Sequence, residues 1–417
     1  MSLRLRMATP IPARLVLPGS LALVCALSGC STIAGPASAP AGVPARDALF
    51  ARDLYDQLAK QPGNLLFSPA ALASGLALIG TGAHGGSAGE IADVLHVAPD
   101  TFATWRFDDA DPPAVNVALS LWTSARAEIV PAFLNAARTR AAAGVETVDF
   151  TTPDVTRTRI NAAVSTQTVG DIPALLDGPP DPQTALLLTA VLTFHGQWAT
   201  PFRPGLTRQG DFNSPSGVVP MPIMNLESVL RYAETATAQV VELPYAGDDA
   251  MDVIVPFSPN GGLLGYINPP EGTPADPMQE LAATEAELHR SGFAVFAGLA
   301  NHYVGIHLPR MTIACHPDLR QPLHALGLDA VFDAQRADLS GIAAGHLWLG
   351  AIHHRATLTC DELGTTASAA TGMEVPPASA PDADINATHP FILIVRNLRS
   401  GNILFIARVV DPSQGNP

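Results

Sequence analysis

The sequence predicts an α+β fold on three observations. Phe50, Leu54 and Leu58 recur every four residues, the stripe of an amphipathic helix. Val115-Asn-Val-Ala-Leu-Ser-Leu-Trp122 alternates in hydrophobicity, as a strand with one buried face does. From Thr365 the odd positions (Thr365, Ala367, Ala369, Thr371, Met373, Val375) suit a core, whereas the even ones (Thr366, Ser368, Ala370, Gly372, Glu374, Pro376) carry the only charge and the first proline. That is again a strand pattern. It is laid over a run of small residues, Gly364 to Gly372, that buries little apolar surface and also reads as a flexible linker. A chain of 417 residues, 47% hydrophobic, can build a large core.

In chain order, residues 1–30 form a targeting segment. Arg4 and Arg6 charge its start, and the apolar stretch from Leu15 to Val24, broken by Pro18-Gly19, is too short to span a membrane. Leu27-Ser28-Gly29-Cys30 resembles the lipobox of bacterial lipoproteins. That resemblance implies a lipidated Cys30 and an exported protein anchored in the cell envelope or at its surface; the alternative is an ordinary secretory signal. Residues 31–45, rich in Ser, Ala, Gly and Pro, read as a tether. The folded domain starts near Arg46, and residues 413–417 are a tail. The first helix stops at Gln61-Pro-Gly63. A second is announced by Ser68 as N-cap and Pro69 at the first helical position.

Several chemistries are set aside on sequence grounds. Gly80-Thr-Gly82-Ala-His-Gly85 spells G-x-G-x-x-G, but a dinucleotide site needs a strand before it, and here a capped helix precedes. The glycines are therefore read as a helix end and turn. The net charge of −15 disfavours nucleic acid as a partner. His353 and His354 are adjacent in a strand-like run and so face opposite ways, which disfavours a two-histidine metal site. No nucleophile elbow, H-E-x-x-H or P-loop is read, so no catalytic set, cofactor or metal is expected.

Glu362-Leu-Gly364-Thr365-Thr366-Ala367-Ser368-Ala369-Ala370-Thr371 resembles the hinge of the reactive-centre loop of serpins. Phe391-Ile-Leu-Ile-Val-Arg396 with Gly401-Asn-Ile-Leu-Phe-Ile406 resembles that fold's closing strands. Collinear shorter matches are Asn64 to Gly80, Asn161 to Leu176, Phe194-His-Gly196-Gln-Trp198 with Pro201-Phe202, Val219 to Met224, Glu242 to Tyr245, Met251 to Pro256, His307 to Arg310 and Leu326 to Gly341. The resemblance covers residues 46–412. Residues 257–300 match poorly, and the prolines and glycine between 268 and 277 suggest an inserted surface loop.

The resemblance implies about three β-sheets with a large central one, eight to nine helices, and an exposed reactive loop over residues 364–388. It assigns Ser68, Trp198, Arg310 and His354 to packing and sheet opening. Where the family usually has an asparagine on the opening strand, this chain has Ala190, so a hydrogen-bonding group is expected to be missing. In serpins the positions of Arg310 and Glu362 pair across antiparallel strands. That sets Cys360 opposite residue 312 and Cys315 opposite residue 357, three positions apart, and no disulfide is expected.

The function implied is suicide-substrate inhibition of a serine protease by a monomer that meets a membrane only through its lipid anchor. The alternative is a non-inhibitory serpin acting as a binding or chaperone-like module. Hinges of that kind tend to carry bulky, charged or proline residues, and Thr365 to Thr371 has none. Counting from Gly364 sets the scissile bond at Ala378–Ser379; counting back from His389-Pro390-Phe391 sets it at Ser379–Ala380. Either residue before the cut is small and uncharged. An elastase-like target is expected first and a subtilisin-like one second.

Overall fold

Phe50, Leu54 and Leu58 lie on one face of helix α1 (Ala45–Leu58), and all three are buried. The computed structural model describes residues 45–104, 115–140, 143–257, 276–365 and 380–414, all within one compact unit, Pro40–Pro417. After α1 come β1 (Leu65–Phe67), α2 (Pro69–Gly80), α3 (Gly85–Val94), β2 (Val115–Ser124), β3 (Glu128–Ile129), α4 (Pro131–Arg140), β4 (Gly144–Val148) and α5 (Pro153–Gln167). Next are β5 (Leu186–Phe194), β6 (Arg208–Ser214), β7 (Gly217–Glu234), β8 (Ala238–Pro244), β9 (Asp249–Pro256), α6 (Pro277–Ser291), β10 (Ala300–Pro309), β11 (Met311–Cys315) and α7 (Arg320–Ala325). The chain closes with β12 (Ala343–Ala344), β13 (Leu349–His353), β14 (Ala356–Cys360), β15 (Ala383–Asn386), β16 (Phe391–Asn397) and β17 (Ile403–Val409).

The expected α+β architecture with three sheets is present. Six strands form the central sheet in the order β11-β14-β5-β2-β4, with β13 beside β5. Nine form a second sheet, β1-β17-β16-β9-β8-β7-β10-β15 with β6 beside β7, and β12 with β3 makes the third. Among the described residues there are seven α-helices, against eight to nine expected. Pro277 is not part of a loop but the first helical residue of α6, behind Asp276, whose side chain accepts from the Met278 N–H at 3.0 Å.

Alternation along β5 places the central sheet between two cores. Leu186, Leu188, Ala190, Leu192 and Phe194 belong to the main core, shared with α1 and α2. Leu187 and Val191 face a smaller core with Trp122 and with Ile160 and Val164 of α5. The second sheet encloses an ionic cluster. Arg396 donates to Asp252 (2.6 Å) and Glu242 (2.5 Å), lies over the Phe296 ring (4.3 Å), and shares Glu242 with Arg231 (3.0 Å).

The ladder between β11 and β14 corrects the expected register by one residue. Cys360 faces Met311 and Cys315 faces Ala356. Arg310 still reaches Glu362, because both lie just beyond the ladder and the long guanidinium stem spans the diagonal. Cys315 and Cys360 are free thiols, four positions apart in this register.

Candidate functional site

The chain turns back on itself above β14, and Asp361 makes the turn. Its Oδ1 accepts from the N–H of Leu363 (2.9 Å) and Gly364 (3.1 Å), and its own N–H donates to the Gly364 carbonyl (2.9 Å). This is the side-chain chemistry that favours aspartate in turns. The reversal brings Gly364 against Gln197 in an antiparallel bridge. Thr365 N–H donates to the Gly196 carbonyl (2.6 Å), and Trp198 N–H donates to the Leu363 carbonyl (3.0 Å). At Gly364, with φ of +151°, an added Cβ would lie 2.0 Å from the Gly196 carbonyl oxygen, so only glycine fits.

Thr365 ends this segment buried at 1% exposure, its Oγ1 2.8 Å from the Tyr245 hydroxyl. Tyr245 stacks on Trp198, ring centroids 4.4 Å apart, and the Trp198 indole N–H donates to the Asp361 carbonyl at 2.9 Å. Burial pushes the Tyr245 phenol well above its usual range, so it stays a neutral hydrogen-bonding group. Glu362 accepts from Thr207 (2.6 Å) and from the Arg310 guanidinium. Burial works against its charge, yet these donors hold the carboxyl below the ordinary range. Thr366, Ala367, Ser368, Ala369, Ala370, Thr371, Ala378, Ser379 and Cys30 lie outside the described residues; Ala380 is the first described residue after the loop.

Below the turn, β5 and β14 are poorly joined. They share one parallel pair, Ala356 with Leu192, and among the described residues no further pair forms until the bridge at Gln197. Lower down, β13 pairs with β5 from Leu349 to His353. His354 sits between β13 and β14, fully buried. Its Nδ1 donates to the Ala190 carbonyl (2.5 Å), and its Nε2 accepts the Ser68 N–H (3.0 Å). Ser68 also caps α2 as expected, its Oγ accepting from Ala71 N–H at 3.1 Å. Ala190 itself brings no side-chain hydrogen-bonding group, and it meets His354 through its main-chain carbonyl.

Burial pushes the His354 imidazole down to about 4. Protonation would set a donor against the Ser68 N–H. Because the folded form holds its proton less tightly than the unfolded chain (ordinary value about 6.5), stability is lost as pH falls from about 6.5 toward 4. The share from this group is roughly 3 kcal/mol by linkage. His354→Gln keeps one donor and one acceptor without titrating, so its melting temperature, compared with wild type across that range, is expected to fall less steeply. Parallel curves would remove His354 as the cause.

No hydrolytic constellation assembles among the described residues. Gly85-Gly-Ser87-Ala-Gly89 does spell G-x-S-x-G, which the sequence reading passed over. It opens α3 with no strand before it, and the buried Ser87 Oγ accepts from Asp338 N–H (3.0 Å). His84, Asp338 and Ser340 meet at the surface, but Ser340 and Asp338 both lie on the Nδ1 side of the ring, so the imidazole cannot relay a proton between them. No group of three or more His, Cys, Asp or Glu able to hold a metal ion occurs among the described residues.

Sequence reading missed Asp361 and Thr207, and it placed Gly196 and Tyr245 in family-like runs without the roles they hold here. An aspartate three residues before a glycine was a legible turn signal for Asp361. The contacts of the other three with the hinge come from distant strands and loops and have no local signal.

An α+β fold of three sheets, with a hinge seated at the top of the central one, narrows the class of protein, and comparison with known proteins settles it. The family model for serpins, described as serine protease inhibitors, matches residues 45–412. The chain belongs to the serpin family. It is 30% identical over 380 residues to the leukocyte elastase inhibitor of Bos taurus, covering 87% of this chain and 97% of that protein. It is 28% identical over 382 residues to a serpin-like protein of Thermococcus kodakarensis, covering 88% and 85%. Among solved structures, Serpin48 of the insect Tenebrio molitor, called highly specific, aligns with a TM-score of 0.74 at 27% identity over 88% of this chain and 97% of that one.

Proposed function

We propose that the protein is a suicide-substrate inhibitor of elastase-like serine proteases, with subtilisin-like enzymes second. The observation that carries this reading is the reversed hinge poised over two strands that are barely paired. Carried on from the Gly364–Gln197 bridge, an antiparallel register sets Thr365 opposite Gly196, Ala367 opposite Phe194, Ala369 opposite Leu192, Thr371 opposite Ala190, Met373 opposite Leu188 and Val375 opposite Leu186. Residues opposite each other share a face, and Leu186 to Phe194 present their even members to the main core. The core-compatible half of the segment thus meets the core, and Glu374 does not.

In this mechanism the protease serine attacks the carbonyl of Ala378 or Ser379. The peptide bond breaks, the amine of the following residue leaves, and an ester joins protease to loop. Insertion of the hinge between β5 and β14 adds backbone hydrogen bonds and buried surface. Thr365 to Ala378 is fourteen residues, so at ~3.3 Å each the inserted segment is about 46 Å long and carries the ester past the Leu186 end of the sheet.

Incubation with a protease panel, read on denaturing gels, tests this. A resistant complex is expected with an elastase-like enzyme and none with trypsin, because no Lys or Arg lies between Gly364 and Thr388 for an aspartate-lined pocket to hold. The released C-terminal peptide is expected to start at Ser379 or Ala380 by mass spectrometry. A trypsin complex formed at this loop, or cutting only upstream of Met373 without complex, overturns the reading. The lipobox-like Leu27 to Cys30 supports anchoring through Cys30. Cys30→Ser is then expected to leave the membrane fraction, and unchanged partitioning would argue for a plain secretory signal.

A further inference from the structure

Adjacent residues of a strand face opposite ways, and His354 accordingly turns inward to Ser68 and Ala190. His353, the last residue of β13, is half-buried and meets a third histidine instead. His316, one residue past β11, holds its ring 5.8 Å from the His353 ring, centre to centre, tilted by 42°. Both line a recess of about 280 Å³ that Asp318 and Arg320 also line.

His316 is held in one orientation from behind. Its Nδ1 lies 3.2 Å from Asp177 Oδ2, and Asp177 accepts twice more from Arg355 Nη2, at 3.0 and 3.2 Å. An ionised carboxylate only accepts, so Nδ1 carries the proton of the neutral ring and Nε2 keeps its lone pair. An imidazole that donates one nitrogen to a carboxylate and leaves the other as a lone pair is the form in which histidine binds metal ions. Two imidazoles on one tetrahedral ion, at about 2.0–2.1 Å per metal–nitrogen bond, have ring centres roughly 5–6 Å apart. The observed separation falls in that range. Arg320 is the one arginine or lysine lining the recess. Its guanidinium is engaged by the Phe332 ring (5.6 Å) and the Gly350 carbonyl (3.4 Å).

We propose that His316 and His353 bind one divalent ion of the zinc, nickel or copper kind, with water in its remaining positions and with Asp177 orienting His316. Imidazole nitrogen selects these ions over magnesium and calcium, which take oxygen ligands. No three His, Cys, Asp or Glu side chains converge on such an ion among the described residues, so the site is open to solvent rather than closed like a structural one. An ion there ties the end of β11 to β13; β11 pairs with β14, and β13 with β5. The proposal stands apart from the inhibitory reading.

Calorimetric titration of the purified, chelator-stripped protein with zinc chloride tests it. Wild type is expected to show a site that is lost or weakened at least tenfold in His316→Ala and in His353→Ala. His316→Gln still offers Asp177 an N–H donor but has no metal-binding nitrogen, so loss of the site there separates metal binding from the surface network. Asp177→Asn is expected to keep the site and weaken it about tenfold. The melting temperature of wild type is expected to rise by about 3–6 °C at a hundredfold excess of zinc over its Kd, and not to rise with magnesium. Melting of each variant without metal checks that it is folded. Undiminished zinc binding in any of the three histidine variants, no binding by wild type, or an equal rise with magnesium overturns the site. Unchanged affinity in Asp177→Asn overturns the orienting role.

Discussion

Thr365→Arg is expected to turn the inhibitor into a substrate: the loop is still cut, but no denaturation-resistant complex survives. Thr365 is enclosed by the Gly196 main chain and the Tyr245 ring system, at 1% exposure and with its hydroxyl on Tyr245. A guanidinium buried there would cost several kcal/mol. Each 1.4 kcal/mol is a factor of ten in an equilibrium, so seating of the hinge falls by orders of magnitude, and hydrolysis of the ester overtakes insertion. The stoichiometry of inhibition is expected to rise tenfold or more. Thr365→Val, which keeps the shape and adds no charge, is expected to retain complex formation. Undiminished complex with Thr365→Arg would sink the insertion mechanism.

Arg396→Leu is expected to destabilise the fold by about 3–5 kcal/mol, the usual result of removing one partner from a buried ion pair. Arg396, Asp252 and Glu242 are all buried, and Arg231 still pairs with Glu242. Asp252 loses the guanidinium that its two oxygens accept from. Burial already pushes its carboxyl up to about 6 against the pull of Arg396, and losing that cation drives it higher. The folded variant then binds a proton more tightly than the unfolded chain, whose carboxylates titrate near 3.9. Its stability is lost as pH rises through the folded value and regained as pH falls. Urea titrations are therefore expected to show the deficit against wild type largest at pH 7–8 and smaller near pH 5. A deficit independent of pH would mean that Arg396 acts through packing on Phe296 rather than through its charge. Asp252→Asn combined with Arg396→Leu is expected to recover part of the loss, since the pair is removed together.

Periodicity made most of the scaffold legible. The stripe at Phe50, Leu54 and Leu58 became α1, the Ser68-Pro69 cap opened α2 where expected, and the alternation from Val115 became β2. These signals are local: a helix face or strand face is written in neighbouring residues, and a cap needs one side chain within three positions. Pro277 misled because proline is favoured both in turns and at the first turn of a helix. Asp276 before it, which caps α6 as Ser68 caps α2, distinguishes the two here.

The sequence by itself determined the fold class and the helix starts. The tertiary structure alone decided how the chain around Gly364 is held. Gly364 must be glycine because the Gly196 carbonyl, 168 positions earlier in the chain, lies against it. His354 is a neutral acceptor because Ser68 and Ala190 meet it from two other elements. Ala190 meets His354 through its carbonyl, and a carbonyl is silent in sequence. The one-residue shift between β11 and β14 has the same origin: side chains long enough to pair diagonally, as Arg310 and Glu362 do, leave register to the packed backbone. Hydrogen-bond partners across a sheet are set by which strands pack together, and no local pattern encodes that choice.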